Sequence, residues 1–440
     1  MIADETASLT ALTVLLGGRV AGVLERPDAS SPLVFAYDDA WRDDAAAIPL
    51  SLSLPLAGRR FSGDAVEYYL RGLLPDDAGR LARIAAHYGV TGRDSFSLLA
   101  QIGEDCAGAV QFARPERLDA LAGKGPEHIT WMTEADLAEE IRSLRAQNSG
   151  DGEPSYEAEF SLPGALAKVA LRWDPRRKRW GRPQGRAPTT HIVKPPRTGL
   201  PYHNENEHLC LELARGVGLD AASSRVLRVG GESAIVVERY DRRWRDGFVE
   251  RVHQEDMSQA LGVDPELKYA RQGAPTLAQI ARLLLDWSAK GAEDVLRLFR
   301  AVALNWVVVG TDAHPRNYSV LISADEGVRL APLYDIASAM FLPKQRRKID
   351  PDERKLAMAI GGALTVGNVT RTSWEAEARA AGLRPTRVLD AVAATVEAIA
   401  GTAERVAGEA TARGDTPGDF AEQFRRAVTV KARQRLAALA

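Results

Sequence analysis

Cysteine is scarce in this 440-residue chain: Cys106 and Cys210 are its only two, far apart, with no CxxC pair and only seven histidines. That excludes a disulfide framework or a zinc knuckle and fits a reducing compartment. Charge of one sign is not in excess either. The 57 Lys and Arg stand against 59 Asp and Glu, a formal net charge of −2, which excludes a highly basic nucleic-acid coat. With 45% hydrophobic residues, it is not a disordered chain. Long apolar runs are missing: the best, 301–310, is about half a membrane span and carries Asn305. The start, Met1-Ile2-Ala3-Asp4-Glu5, is acidic where a signal peptide needs positive charge. The expectation is a soluble, cytoplasmic protein with no membrane partner. No short repeat accompanies the 37 Gly and 23 Pro, so the chain is not fibrous. Its length corresponds to about three domain-sized units, enough to bury large cores without staples.

Three regions follow from texture. Residues 1–115 read as a mixed α/β subdomain, with apolar runs 12–16 and 20–24 flanking Gly17-Gly18 as a hairpin. Helical spacing follows over 65–71 and 80–84, broken by Pro75-Asp76-Asp77. A helix near 134–146 with Thr133 as N-cap ends in a linker, 148–154. Residues 116–251 form a small lobe of short β-branched strands (168–172, 190–194, 234–238) interrupted by one helix near 206–216. Residues 252–440 form a helical large lobe. One helical face carries Leu277, Ile280, Ala281, Leu284 and Trp287; another carries Val295, Phe299, Val302, Trp306 and Val309; a third, in Ala-rich sequence, carries Val388, Val392, Val396 and Ile399. These stripes read as core.

Chemistry concentrates in 310–318, Gly-Thr-Asp-Ala-His-Pro-Arg-Asn-Tyr. Asp312 precedes Asn317 by five positions, and a predicted hairpin, 319–322 and 328–331, leads from Asn317 to Tyr334-Asp335. Antiparallel pairing brings Asn317 and Asp335 together. Phosphoryl transfer needs hard oxygen ligands for a divalent metal beside the phosphates, and a carboxylate to orient the attacking hydroxyl. The D-x-x-x-x-N spacing matches the catalytic loop of protein kinases, which makes Asp312 the base and Asn317 with Asp335 the metal ligands. Lys194, ending a strand before Pro195-Pro196, is the candidate phosphate lysine, with Glu207 able to pair with it. Glu238-Arg239-Tyr240 ends a strand where an adenine-reading hinge would lie. No Gly-rich phosphate motif is present. The candidate loop is Ser161-Leu162-Pro163-Gly164-Ala165-Leu166-Ala167-Lys168, whose small residues can aim backbone N–H groups at phosphate.

These segments, with Leu73-Leu74-Pro75-Asp76, 102–110, 189–194, 237–244, Gln254-Glu255-Asp256-Met257, His314 and Tyr334-Asp335-Ile336, resemble the HipA family of toxin kinases, in order and along nearly the whole chain. The resemblance implies an α+β, bilobal protein-kinase-like fold: a β-rich N-terminal lobe with an added N-terminal subdomain, and an all-helical C-terminal lobe. It implies an ATP- and Mg2+-dependent serine/threonine kinase, the toxin of a type II toxin–antitoxin pair. The substrate would be an aminoacyl-tRNA synthetase, for example glutamyl-tRNA synthetase, in some states tRNA-bound; its modification halts translation and promotes persistence. The partner would be a HipB-like helix-turn-helix antitoxin, co-repressing an operator DNA. By position, Asp312 is the base, and Asn317 and Asp335 hold magnesium. Nucleotide contacts fall to Pro163, Gly164, Ala165, Lys168, Lys194, Glu238, Arg239, Tyr240, His314, Asn317, Tyr334 and Asp335. Ser161 is the autophosphorylation site that would switch the enzyme off.

The loop departs from the family pattern in its apolar Pro163 and Ala165-Leu166-Ala167, and Pro315 stands where a small flexible residue is usual. His203 and His208 are five apart, about 140° round a helix, and do not form a zinc pair. Basic residues 172–186 read as a hairpin, solvated or touching nucleic acid, and Lys344, Arg346, Arg347 and Lys348 form a second patch. A small-molecule phosphotransferase and a catalytically silent co-repressor remain alternatives.

Overall fold

The computed structural model describes residues 9–440 except 29, 93, 124–126, 150–160, 165, 246 and 343–349. Ala165, residues 150–154 of the expected linker, the acidic start, and the basic patch at 344–348 therefore lie outside the described residues. The first core rests on an antiparallel sheet of β1 (Ala11–Leu16), β2 (Arg19–Glu25), β3 (Val34–Tyr37), β4 (Arg60–Ser62) and β5 (Val110–Ala113), in the order β4-β3-β2-β1-β5. Leu12, Val14 and Leu16 alternate into this core. Gly17 and Gly18 turn β1 into β2 with φ of 59° and 77°, two left-handed residues in succession, as a tight hairpin requires. The helix Asp64–Leu73 buries Val66, Tyr69, Leu70 and Leu73 in the same core.

A second antiparallel sheet contains β6 (His128–Trp131), β7 (Val169–Asp174), β8 (Arg179–Gln184), β9 (His191–Lys194), β10 (Ser224–Val229) and β11 (Glu232–Glu238), ordered β10-β11-β9-β7-β8-β6. The helix Glu134–Ser149 sets Leu137, Ile141 and Leu144 into its core. The helix His203–Gly216 sits between this sheet and the largest core, into which it buries Leu209, Cys210 and Leu213. A two-stranded ribbon of β12 (Arg242–Arg245) and β13 (Phe248–Arg251) completes the strand-rich part.

The large lobe is built round the helix Gly291–Val308, buried on nearly every side. Its one internal acid, Asp294, accepts hydrogen bonds from Ser288, Arg297, Arg329 and the Leu330 N–H. The expected stripes are buried, except that Trp287 is half-exposed at its helix end. The expectation of an all-helical lobe needs correction: it is mainly helical but holds two small sheets. The expected hairpin of β15 (Ser319–Ser323) and β16 (Gly327–Leu330) is joined by β14 (His253–Asp256), and β17 (Lys355–Ile360) pairs with β18 (Ala363–Thr365). A hairpin alone is marginal in water, and the third strand secures it. Among the described residues no helix is long and apolar enough to cross a membrane.

β14 also ties the first core to the large lobe. The buried Glu255 accepts from Ser51 Oγ at 2.5 Å and from the Leu52 N–H at 2.8 Å. Burial pushes its carboxyl up to about 8, against the two hydrogen bonds. A carboxyl with a raised folded-state value contributes stability that is present below its ordinary value of 4.5 and is lost as pH rises through about 8. Glu255→Gln is expected to gain in Tm relative to the parent across that window. Two curves that stay parallel would contradict this.

Candidate active site

The helix Gly291–Val308 delivers the candidate catalytic loop, 310–318. It ends on Val309, a β-branched residue held in the left-handed region at φ 56°, a strained conformation of the kind that clusters at functional sites. Within the loop the His314 N–H bonds Asp312 O at 2.8 Å and the Asn317 N–H bonds His314 O at 2.9 Å. Asn317 Nδ2 donates to Asp312 O at 2.7 Å. The five-residue spacing thus closes a small ring, commits the Asn317 amide nitrogen, and leaves its amide oxygen as an acceptor. At the hairpin's other end the Tyr334 hydroxyl bonds Ser319 Oγ at 2.7 Å and Arg316 O at 2.8 Å, which draws the two ends together. Asp335 follows at φ 53°, a conformation an aspartate tolerates better than most residues.

Lys194, at the end of β9, reaches across the cleft. Its Nζ lies 2.8 Å from Glu207 Oε1 and also contacts Asp335 Oδ1, joining the small lobe, its helix and the hairpin end at one ammonium. Burial works against charge on Lys194, but Asp335 and Glu207 outweigh it and hold the ammonium above its ordinary range. Asp335 is held well below the carboxylate range: burial opposes this, and Lys194 with Lys168 prevails. Glu207 is raised, by burial, with Lys194 acting the other way. The proton therefore sits on Lys194 and Asp335 is an anion.

The phosphate-loop candidate lies against the first core. Ser161 is fully buried; its Oγ donates to Leu73 O at 2.8 Å and its N–H to Asp105 O at 3.0 Å. Asp76 donates its N–H to Gly164 O at 3.2 Å. Gly164 sits at φ 116°, where a side chain is strained, and a Cβ there would meet Lys168 Nζ at 2.3 Å and push the ammonium aside. Lys168 is buried and bonds Pro163 O at 2.5 Å; burial pushes it down to about 8, with Asp335 opposing. The loop's seat is fixed from the large lobe as well. Arg316, buried between Asn317 and the cleft floor, bonds Asp256 at 3.0 Å, Gly72 O at 2.8 Å, and Asp76. Lys268 bonds Asp76 at 2.5 Å.

At the hinge, Glu238 and Tyr240 line the cleft, and the Glu238 and Arg239 N–H groups are taken by Ser223 O and Thr190 O. The Arg239 side chain does not serve a ligand. It is locked onto Asp241, Thr189, Asp105 and Cys106 O, so the guanidinium is not free for the expected contact at the adenine end, and the Arg239 N–H and carbonyl are themselves bonded to Thr190 O and the Arg242 N–H. Arg172 is likewise inside, on Pro188 O and Glu127 beneath the Trp244 ring, and Arg179 stacks over Trp131 at 3.8 Å. Of the basic residues in 172–186, only Arg176, Arg177 and Lys178 at the tip are exposed. His208 bonds Ser224 Oγ rather than His203.

Sequence reasoning gave no role to Asp76, Asp256, Arg316, Lys268 or Tyr269, although the first two lie in segments that carry the family resemblance. Tyr269 donates its hydroxyl to Asp312 Oδ1 at 2.8 Å. The one signal available was chemical: an acid-rich motif needs cations, and Arg316 sits inside the catalytic loop.

These residues surround a cleft of about 340 Å3, within the range of small-molecule sites. Its lining includes apolar Ile192, Ala222 and Val237 as well as Lys168, Lys194, Asn317 and Asp335. His314 Nδ1 is buried there without a hydrogen-bond partner, and burial lowers this imidazole so that it is neutral. Among the described residues no group of three or more His, Cys, Asp or Glu could hold a metal on its own. One carboxylate, one amide oxygen and two lysines fit a nucleotide whose phosphates complete a magnesium shell.

Residues 12–113 match the model of the HipA N-terminal domain and residues 160–403 that of the HipA-like C-terminal domain. The chain is 37% identical over 394 residues to Y4mE, a candidate kinase of Sinorhizobium fredii, covering 88% of this chain and 90% of the relative. It is 27% identical over 380 residues to the serine/threonine-protein kinase toxin HipA of Shewanella oneidensis, covering 81% and 79%. The solved structure of that organism's HipA with HipB and operator DNA superposes with a TM-score of 0.80, at 22% identity, over 97% of this chain and 98% of that one; at that identity it speaks for the fold.

Proposed function

The chain belongs to the HipA family of toxin kinases, and from that premise we propose that it transfers the γ-phosphate of ATP to a serine or threonine of a protein. The observation that carries this is the meeting of Lys194, Glu207 and Asp335 in the cleft, beside a loop in which Asn317 grips Asp312. Lys194 and Lys168 hold phosphate charge. Residues 238–240 and the apolar lining of the cleft hold the adenine. Asn317 and Asp335 would hold magnesium, whose positive charge would offset the negative charge that spreads over the transferring group. Asp312 takes the acceptor hydroxyl's proton as the new oxygen–phosphorus bond forms and the bond to ADP breaks. Asp312 is exposed at the cleft mouth, which suits a macromolecular acceptor better than an engulfed metabolite.

Family membership extends this reading. The acceptor is an aminoacyl-tRNA synthetase, modification stops translation in the cytoplasm and promotes dormancy, and a HipB-like antitoxin pairs with the chain on operator DNA. Ser161 is an autophosphorylation site. A charge of about −2 on a side chain now fully buried on Leu73 O would unseat the phosphate loop and turn the kinase off. The test is transfer of label from γ-labelled ATP to soluble cell proteins. Asp312→Asn is expected to lower it by about 10²–10⁴, the usual contribution of a positioned proton acceptor. Equal labelling by parent and variant would overturn the assignment.

A further inference from the structure

The acceptor position on Asp312 is already taken by this chain's own tyrosine. Tyr269 lies on the segment between the helices Met257–Ala260 and Leu277–Trp287. Its hydroxyl donates to Asp312 Oδ1 at 2.8 Å while its ring stands edge-on to His314, 6.1 Å between centroids. Tyr269 is 40% exposed, so the residue also faces solvent. The segment is fastened at several points. The Tyr269 N–H bonds Gln272 Oε1 at 3.0 Å, Lys268 bonds Asp76, and Arg71 of the first core bonds Asp264 at 3.3 Å and Glu266 at 2.6 Å. A kinase acceptor must do what this phenol does, which is to bring an O–H to the catalytic carboxylate as a donor. Burial, and then Asp312 itself, push the phenol up to about 12, so it stays protonated and remains a donor at neutral pH.

Resting on the kinase reading above, we propose that Tyr269 is an in-chain mimic of the acceptor hydroxyl, which closes Asp312 until a protein acceptor displaces it. The closure holds off water as well as unselected hydroxyls, so ATP is not spent without an acceptor. Its strap runs to the first core through Arg71 and Asp76, so that core takes part in the closure.

The test is Mg-ATP hydrolysis by the full chain with no protein acceptor added, water taking the acceptor's place, in the parent, Tyr269→Phe, Asp312→Asn and the double variant. Phenylalanine keeps the ring and its packing and removes only the hydrogen bond. Tyr269→Phe is expected to hydrolyse ATP about tenfold faster, the scale of one hydrogen bond to a charged group, and Asp312→Asn should cancel the gain. A rate that is unchanged or lower in Tyr269→Phe, in a series where Asp312→Asn still abolishes turnover, overturns the mimic and leaves the kinase standing. Turnover that ignores Asp312 throughout overturns both.

Discussion

Lys194→Met is expected to abolish phosphoryl transfer, with a loss larger than that of the proton acceptor. Three elements meet at this ammonium: β9 supplies it, the helix His203–Gly216 supplies Glu207, and the hairpin end supplies Asp335. Methionine matches the length of lysine and removes the charge. Phosphate then loses its proposed cation, and two carboxylates whose mutual repulsion one ammonium had offset face each other. Preorganised charge is commonly the largest single contribution to such catalysis, and here one substitution both removes it and leaves Asp335, the proposed magnesium ligand, without its partner. Stability should fall too, by up to about 3 kcal/mol. That is the lower end of what breaking a buried pair costs, because the Asp335 side chain is 37% exposed and water can relieve it. Label transfer and thermal unfolding measured side by side separate the two effects. A Lys194→Met protein that folds and keeps more than about a tenth of the parent's rate would dismantle the site as described.

How much of this was legible in sequence depends on the distance over which each interaction acts. Asp312 and Asn317 are five residues apart and their loop closes on itself, so their spacing, taken with the predicted hairpin and Asp335, singled them out as candidates. Asp335 was reachable because a hairpin returns the chain predictably. Lys194 and Glu207 lie thirteen positions apart, on a strand end and the helix after it, again within local reasoning. The expectations that needed correction depend on partners remote in the chain. Arg239 ends a strand where a hinge belongs, and nothing local says that Asp105, far upstream, claims its guanidinium. Arg316 meets Asp76 across 240 positions, and Tyr269 meets Asp312 across a segment with no regular spacing at all. Trp287 completes its stripe by periodicity, yet it falls at the helix end, where the core stops. The helical large lobe was legible from its stripes; β14 was not, because a four-residue strand carries no pattern beyond its pairing with β15.

Asp105→Ala is expected to give the largest loss of stability of any single change considered, about 3–5 kcal/mol, the range for leaving buried charges without their partner. Asp105 is buried with three arginines on it. Arg242 Nη2 lies at 3.0 Å, Arg251 Nη2 at 3.0 Å and Arg239 Nη1 at 3.4 Å, while Thr189 Oγ1 donates at 2.6 Å. Removing the carboxylate leaves Asp241 to balance the Arg239–Arg242 pair alone. The damage would spread to function, since the backbone of Asp105 also holds the Ser161 N–H and Arg239 carries the hinge. The dependence on pH has a definite sign. Burial opposes ionisation of Asp105, but the arginines prevail and hold its carboxyl far below the ordinary 3.8. A depressed folded-state value contributes stability that is complete above the ordinary value and is lost as pH falls towards the folded one. The gap in unfolding free energy between parent and Asp105→Ala should therefore hold steady from neutral pH down to about 4 and close below it. Asp105→Asn, which keeps the shape and removes the charge, should follow the same curve with a smaller gap. A gap that widens on acidification would mean that the three guanidiniums are balanced by something other than this carboxylate.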